Sequence, residues 1–147
     1  MKIEKVSEPD WKYKDAFSGV RAALATVGFH YSGAFCGVDF PFPCSVVGLF
    51  INEKDSVFVQ YSEEDGALPI AFSFYSNYSD GKCLMDHYHY APGLALGIEL
   101  PSLYSKHLED RSAKRPGMPV DAVELSAIIT NWESWLQQQA FSVGIRH

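Results

Sequence analysis

Residues 70–90, IAFSFYSNYSDGKCLMDHYHY, decide the fold that this sequence predicts. Two runs rich in aromatic and aliphatic side chains, residues 70–78 and 83–90, flank the turn sequence SDGK at residues 79–82. An Asp-Gly pair between two such runs is a strong hairpin signal, because a type I′ turn needs positive φ at both central residues. The stretch therefore predicts two adjacent antiparallel strands.

The rest of the chain supplies further strands and a helix at each end. Residues 45–52 and 56–62 read as a preceding hairpin, and residues 94–100 read as a fifth strand that follows a Pro-Gly pair. Apolar side chains at three- and four-residue steps predict amphipathic helices over residues 8–27 and 121–140.

Prolines and charged residues mark the remaining segments. Pro41 and Pro43 favour an edge strand or an ordered loop over residues 29–43, since proline cannot donate to a sheet ladder. Residues 102–119 read as a short helix and a charged linker. The expected fold class is α+β, with an N-terminal helix, an antiparallel meander of about five strands and a C-terminal helix packed on one sheet face. The length fits one globular domain, residues 1–147.

The assumed turns determine which side chains share a face of the sheet. If both turns have two residues, Phe74 pairs with His87 and Phe72 pairs with His89, and cross-strand partners point to the same side. Met85 and both histidines are therefore expected among apolar side chains, under the terminal helices. The opposite face is expected to carry Ser73, Tyr75, Asn77, Asp86, Tyr88, Tyr90 and Glu99.

Composition and charge exclude several classes of function. The 147 residues carry a net charge of −6, and an acidic chain lacks the basic face that non-specific nucleic-acid binding needs. No run of 18 apolar residues and no apolar leader occurs, so neither a membrane span nor a secretory signal is expected. Three cysteines without CxxC spacing are typical of a reduced, cytoplasmic chain.

His87 and His89 are the most conspicuous candidates for chemistry. Side chains two apart on a strand project to the same side, as a pair of metal ligands would. A zinc site needs three or four protein ligands, and no other donor stands at ligand spacing from the pair. We therefore expect no metal and no other cofactor. A small-ligand pocket or metal-dependent active site that uses His87 and His89, between sheet and helices, is the alternative hypothesis.

Other catalytic motifs are incomplete. Residues 81–89 resemble the opening half of the cupin metal motif, a glycine, five residues and then His-x-His. The glutamate of that motif should follow four or five positions after His89, where Gly93 and Leu94 stand, so we assign no family. Cys83 shares a face with His87, but an apolar setting disfavours a thiolate nucleophile.

The tyrosine-bearing face is the preferred candidate site. Tyrosine is enriched in binding interfaces, and two opposed carboxylates, Asp86 and Glu99, need solvent or a cationic partner. We predict a small acidic cytoplasmic module, without catalysis, that binds a basic protein partner, as a bacterial immunity protein binds a toxin domain or a chaperone binds a secreted protein. Trp135, at the margin of the last helix's apolar stripe, is expected to flank a groove. The predicted protein-binding residues are Tyr75, Asp86, Tyr88, Tyr90, Glu99, Glu63, Glu64 and Asp65.

Overall fold

The computed structural model describes residues 1–93 and 95–142. Within this part of the chain the elements are β1 (Lys2–Val6), α1 (Lys14–Thr26), β2 (His30–Val38), β3 (Val47–Asn52), β4 (Val57–Glu63), β5 (Ile70–Asn77), β6 (Cys83–Tyr90), α2 (Ala95–Lys114) and α3 (Leu125–Ala140). The strands form one antiparallel sheet in the order β1 to β6. The predicted α+β class with an antiparallel sheet is therefore confirmed.

Helices cover both faces of this sheet, not one. The helices α1 and α2 pack on the side that we call face A, where Leu24, Phe72 and Leu100 are fully buried. The helix α3 packs on the opposite side, face B, where Ile128 and Leu136 contact apolar side chains of β1 to β4. Every residue of β3 is buried, as expected for a strand that is covered on both faces.

Several elements outside the central hairpin differ from the sequence prediction. The chain opens with a strand, β1, and the first helix begins only at Lys14. The strand β2 is an interior strand, because Pro41 and Pro43 come after its last residue, Val38, and leave its ladders intact. No helix in the described residues is long and apolar enough to cross a membrane.

The predicted fifth strand is wrong, since residues from Ala95 onward form the start of α2. Leu96, Leu100 and Tyr104 recur every four residues and are buried against face A. A four-residue period of buried side chains is typical of a helix. The segment follows this period and not the shorter alternation that suggested a strand. Leu94, the first residue of the predicted strand, lies outside the described residues.

The connection between β5 and β6 is longer than a two-residue turn. Residues 78–82 separate the two strands, and Gly81 adopts a φ of +88° within them. The loop closes locally, because the Gly81 N–H donates to the Tyr78 carbonyl at 3.0 Å and the Tyr78 N–H donates to the Lys82 carbonyl at 2.8 Å. This is a three-residue hairpin loop with glycine at the left-handed position, the next most common kind after the two-residue turn. Tyr78 beside it is buried, and its hydroxyl donates to the Arg111 carbonyl at 2.8 Å.

The longer loop moves the register of β6 by one residue. Phe74 pairs with Asp86 and Phe72 pairs with Tyr88, where the two-residue turn predicts His87 and His89. A shift of one residue exchanges the faces of a strand. The prediction of the two faces is therefore wrong for β6: Asp86, Tyr88 and Tyr90 point to face A, and His87 and His89 point to face B.

Candidate functional site

A groove lies on face B between α3 and strands β4 to β6. Two adjoining cavities of about 590 and 380 Å³ form it, and Gln60, Tyr75, Trp132 and Trp135 line both of them. The groove forms because α3 packs over β1 to β4. The rest of face B lies next to Trp132 and Trp135 and is not covered by this helix. We call it the α3 groove.

Aromatic and thioether side chains supply much of the surface of the α3 groove. The rings of Phe58 and Tyr75 stack with centroids 4.8 Å apart and planes at 6°. Trp135 is 55% exposed on the helix side, and Met85 is 54% exposed on β6. Large exposed apolar side chains that line one concave surface are typical of binding sites.

The formal charges of the α3 groove are negative. Among the described residues that line it, Glu64 belongs to the smaller cavity and Asp121 to the larger, and neither lysine nor arginine occurs. Carboxylates beside aromatic rings complement a cationic group, which gains both a Coulomb and a cation–π attraction.

A chain of polar side chains, Ser73, His87, His89 and Glu64, borders the smaller cavity. The Ser73 hydroxyl contacts His87 Nδ1, His87 Nε2 lies 2.9 Å from His89 Nε2, and His89 Nδ1 lies 3.8 Å from Glu64 Oε2. One proton fits between the two facing ring nitrogens, so one ring donates and the other accepts. Desolvation, and then the neighbouring His89, lowers the pKa of His87, while Glu64 opposes this shift.

Within the described part of the chain, these side chains do not supply the ligand set of a metal site. Among residues 1–93 and 95–142, no group of three or more His, Cys, Asp or Glu side chains is placed to hold a metal ion. The metal-dependent form of the alternative hypothesis therefore lacks a third ligand within the described residues.

Ser73 has a base beside it, but the described backbone around it offers no oxyanion hole. The strand β5 pairs with β4 and β6 along its length, so the backbone groups around Ser73 belong to the two ladders. Acyl transfer needs N–H donors that are free to stabilise the developing oxyanion. The serine is also only 3% exposed, and its hydroxyl contacts His87.

A second serine–histidine–carboxylate set is buried on face A. Ser76 Oγ lies 2.8 Å from His107 Nε2, and His107 Nδ1 lies 2.6 Å from Asp86 Oδ2, the connectivity of a catalytic triad. Ser76 and His107 expose no surface, and Arg111 donates to the serine oxygen at 3.2 Å. A substrate cannot reach this hydroxyl, so the set joins β5, β6 and α2 as a buried polar network. Burial lowers the pKa of His107, against the opposing effect of Asp86.

Two of the predicted binding residues, Tyr75 and Glu64, line the α3 groove. The other members of the acidic run lie elsewhere. Glu63 accepts hydrogen bonds from the backbone N–H groups of Lys12 at 2.7 Å and Tyr13 at 3.2 Å, next to the start of α1. Asp65 is exposed in the loop after β4.

The remaining predicted residues lie together on face A, and the expected opposition of two carboxylates is wrong. Glu99 belongs to α2, and it accepts a hydrogen bond from the Tyr90 hydroxyl at 2.5 Å. Desolvation, and then this carboxylate, raises the pKa of Tyr90 to about 12. Tyr88 stacks on Phe72, with centroids 5.7 Å apart, and is half-buried. Asp86 holds His107.

Sequence reasoning located one wall of the groove and missed the other. Trp135 does flank a groove, as predicted from its position at the margin of the helical stripe. Met85 lines the same groove, whereas the incorrect register assigned it to the core. The buried network had an available signal, because Ser76 alternates with Phe72 and Phe74 and is thus a polar residue at a core position.

Comparison with known proteins assigns no relative to this chain. No protein-family model, no curated protein and no solved structure matches it.

Proposed function

We propose that this protein is a binding module for another protein and that the α3 groove receives a basic segment of that partner. The observation that carries the proposal is the combination of exposed aromatic surface with carboxylates as the charged groups of the lining. A basic side chain that enters beside Tyr75 or Trp135 can contact a ring face and approach Glu64 or Asp121. Each such cation–π contact contributes about 0.5–2 kcal/mol.

The charge of the whole chain supports the same partner chemistry. A net charge of −6 attracts a basic protein over distances longer than a contact and raises its association rate. Trp135 is a candidate for the residue that dominates binding, since tryptophan is enriched among energetically dominant interface residues. Binding should weaken as salt is added, because the charged contacts are near the surface.

Two biological roles fit this module. One is neutralisation of a toxin domain by a bacterial immunity protein, and the other is escort of a secreted protein by a chaperone. Each role needs binding without turnover. A cytoplasmic location is part of the proposal, and the three free thiols, Cys36, Cys44 and Cys83, support it.

A small-ligand binder or enzyme is the second candidate. The observation that favours it is the ordered Ser73–His87–His89 chain at the wall of a cavity of about 380 Å³. Cavities that bind small molecules span roughly 300–1,000 Å³. A peptide would extend beyond this volume, whereas a small ligand would not, so size selectivity separates the two candidates.

The test uses the tryptophans as reporters. A blocked peptide as long as β6 that alternates lysine and valine is titrated against the protein, in parallel with a peptide that has glutamate in place of lysine. We expect a blue shift of tryptophan emission and saturable binding with the basic peptide. The acidic peptide should bind at least about tenfold more weakly, a difference of 1.4 kcal/mol.

Matched variants locate the binding surface. Trp135→Ala should weaken binding of the basic peptide by about 30-fold if the residue contributes 2 kcal/mol. Ile98→Ala is the control, because Ile98 is 76% exposed but lies on α2, on the other side of the sheet. Equal affinity for both peptides, or equal losses in both variants, would reject the proposal.

A further inference from the structure

We infer that the partner segment binds as a seventh strand, hydrogen-bonded to the free edge of β6, with alternate side chains directed into the α3 groove. This inference rests on the proposed function and specifies how the partner binds. It depends on which backbone groups of β6 point outward, on the absence of edge protection there, and on the charge around the strand.

The hydrogen bonds of the hairpin identify the outward backbone groups. Bonded and non-bonded residue pairs alternate along an antiparallel ladder. The Tyr78 N–H donates to the Lys82 carbonyl at 2.8 Å, in the register that the β5–β6 ladder continues. Counting by two from this pair makes Phe74–Asp86 a bonded pair. The residues between the bonded ones direct N–H and C=O away from β5, and they are Cys83, Met85, His87 and His89.

The neighbouring ladder gives the same assignment independently. The Glu64 N–H donates to the Pro69 carbonyl at 2.7 Å, in the register of the β4–β5 ladder. Counting residue pairs by two from there makes Gln60–Ser73 a bonded pair, so the N–H and C=O groups of Ser73 point to β4. Those of the next residue, Phe74, therefore point to β6. Within the described residues, no hydrogen bond is made by the outward backbone groups of β6.

The same residues of β6 face both the open edge and face B. Cys83, Met85 and His87 line the α3 groove, and their N–H and C=O groups point to the edge. An added strand would continue the sheet, and every second side chain of it would point to face B beside these residues. This is the arrangement in which the main chain supplies affinity and alternate side chains supply specificity.

Among the described residues, the strand β6 lacks the features that normally protect a sheet edge. Natural proteins blunt edges with short strands, lysine, proline, bulges or a covering element. The strand β6 has eight residues, its register with β5 is continuous, and neither proline, lysine nor arginine occurs between Cys83 and Tyr90. Its charged residue, Asp86, is turned to face A and bonded to His107.

Charge favours a basic segment over a second copy of the chain. Glu64 lies near His89 on face B, and Glu99 accepts from Tyr90 on face A, so carboxylates flank one end of β6 on both sides. A basic strand would place lysine or arginine near them. A second copy would bring another net charge of −6 against the same edge.

The decisive variants remove edge donors without touching the β5 ladder. Met85→Pro and His87→Pro each delete one outward N–H, and proline is tolerated at such positions of an edge strand. Met85→Ala and His87→Ala are the matched controls, since they keep the N–H and shorten the side chain. We expect the basic lysine–valine peptide to bind each proline variant at least tenfold more weakly than the alanine variant at the same position.

Two further measurements keep the test independent of folding defects. Thermal melts establish that each variant is folded, and a basic peptide with N-methyl groups on alternate residues removes the donors from the ligand instead of the protein. Hydrogen exchange of the wild-type protein should show new protection at the amides of Cys83, Met85, His87 and His89 when the unmethylated peptide binds.

The outcomes separate the two proposals. Equal binding to proline and alanine variants, with no effect of N-methylation, overturns strand addition, and the proposed function survives if Trp135→Ala still weakens binding. Equal binding of basic and acidic peptides that remains sensitive to proline overturns the basic partner and keeps strand addition. Binding of neither peptide overturns both.

Discussion

The strands β1 and β6 are the two edges of one sheet, and other parts of the chain contact them very differently. At β1, the Ile3 N–H donates to Glu133 of α3 at 2.5 Å, and Lys2 and Glu4 form an ion pair at 3.1 Å. At β6, no described residue bonds to the outward N–H and C=O groups. The position of α3 explains the difference, because the helix that closes one edge also borders the groove beside the other.

A strand with an unpaired edge can still be firmly anchored to the rest of the fold. The outer edge of β6 is unpaired, yet the strand is fixed from face A through Asp86, His107 and Ser76. The strand β1 has one outward N–H, that of Ile3, bonded to α3, but it contributes a shorter, largely exposed segment. Rigidity and exposure of backbone donors are therefore separate properties in this sheet, and the following changes test them separately.

The largest effect is expected from breaking the network that fixes β6. His107→Ala removes the partner of a partly buried carboxylate, Asp86, and of the buried Ser76 hydroxyl. A buried donor or acceptor left without its partner costs about 1–3 kcal/mol, and more for a charged group, so we expect a loss of about 2–5 kcal/mol in the free energy of unfolding for the two groups. Denaturant titration measures it. Lys106→Ala, at an exposed neighbour, should change stability by less than about 0.5 kcal/mol.

Lowering the pH should destabilise the strands near β6 more than those near β1. Burial lowers the pKa of His107 in the folded state below its usual 6.5, even though Asp86 raises it and Arg111 and Asp110 also act on it. The unfolded chain therefore binds the proton more readily, and stability falls as pH decreases from about 7 through 6.5 toward the folded-state pKa. The slope for this one proton is at most about 1.4 kcal/mol per pH unit.

Hydrogen exchange at two pH values checks this prediction by location. After correction for intrinsic exchange rates, amides of β5 and β6 should lose more protection between pH 7 and pH 5.5 than amides of β1 and β2. In the His107→Gln variant, residue 107 cannot titrate, so the loss of protection in β5 and β6 should be close to that in β1 and β2. Equal loss of protection at both edges would contradict the assignment to His107.

A smaller effect is expected from opening the closed edge. Glu133→Ala removes the acceptor of the Ile3 N–H, and hydrogen bonds to charged groups contribute roughly 1.5–3 kcal/mol at most, less at a half-exposed site. We expect a loss of about 1 kcal/mol and faster exchange of the Ile3 amide. Glu133→Gln keeps an acceptor oxygen and should recover part of the protection, and an unchanged exchange rate in Glu133→Ala would show that α3 does not protect β1.

The smallest effect on stability is expected from protecting the open edge. Met85→Lys places a charge on an exposed position of β6, where surface substitutions change stability by about 0.5 kcal/mol or less. Unfolding should be nearly unchanged, while the basic peptide should bind more weakly because of like charge. A fall in stability well above this range would show that Met85 belongs to the core and not to the groove.

The sequence predicts the elements of this fold better than their relation to one another. The bounds of β6, residues 83–90, and the alternation within it were readable from local pattern. Its register was not, because the Asp-Gly sequence suits both the two-residue turn and the three-residue loop that forms, in which Gly81 has a positive φ. The choice between these two local loops moves β6 by one residue.

The candidate site was partly readable for the same reason. Tyr75, Glu64 and Trp135 were identified from residue type, from alternation along β5 and from helical position, none of which depends on the register of β6. Met85, Asp86 and His87 were assigned to the wrong faces, because a single-residue shift exchanges every side chain of a strand. The strand β3, VGLFIN, is apolar up to Asn52, and this run was the available signal that helices cover both faces.

The coincidence of edge and groove at β6 has a consequence for how such a surface can change over generations. In the proposed mode of binding, substitution of Cys83, Met85 or His87 by any residue except proline alters the wall of the groove and leaves the backbone donors and acceptors in place. A duplicated gene could then diverge in its choice of partner at these positions, while the main chain of β6 kept the same contacts.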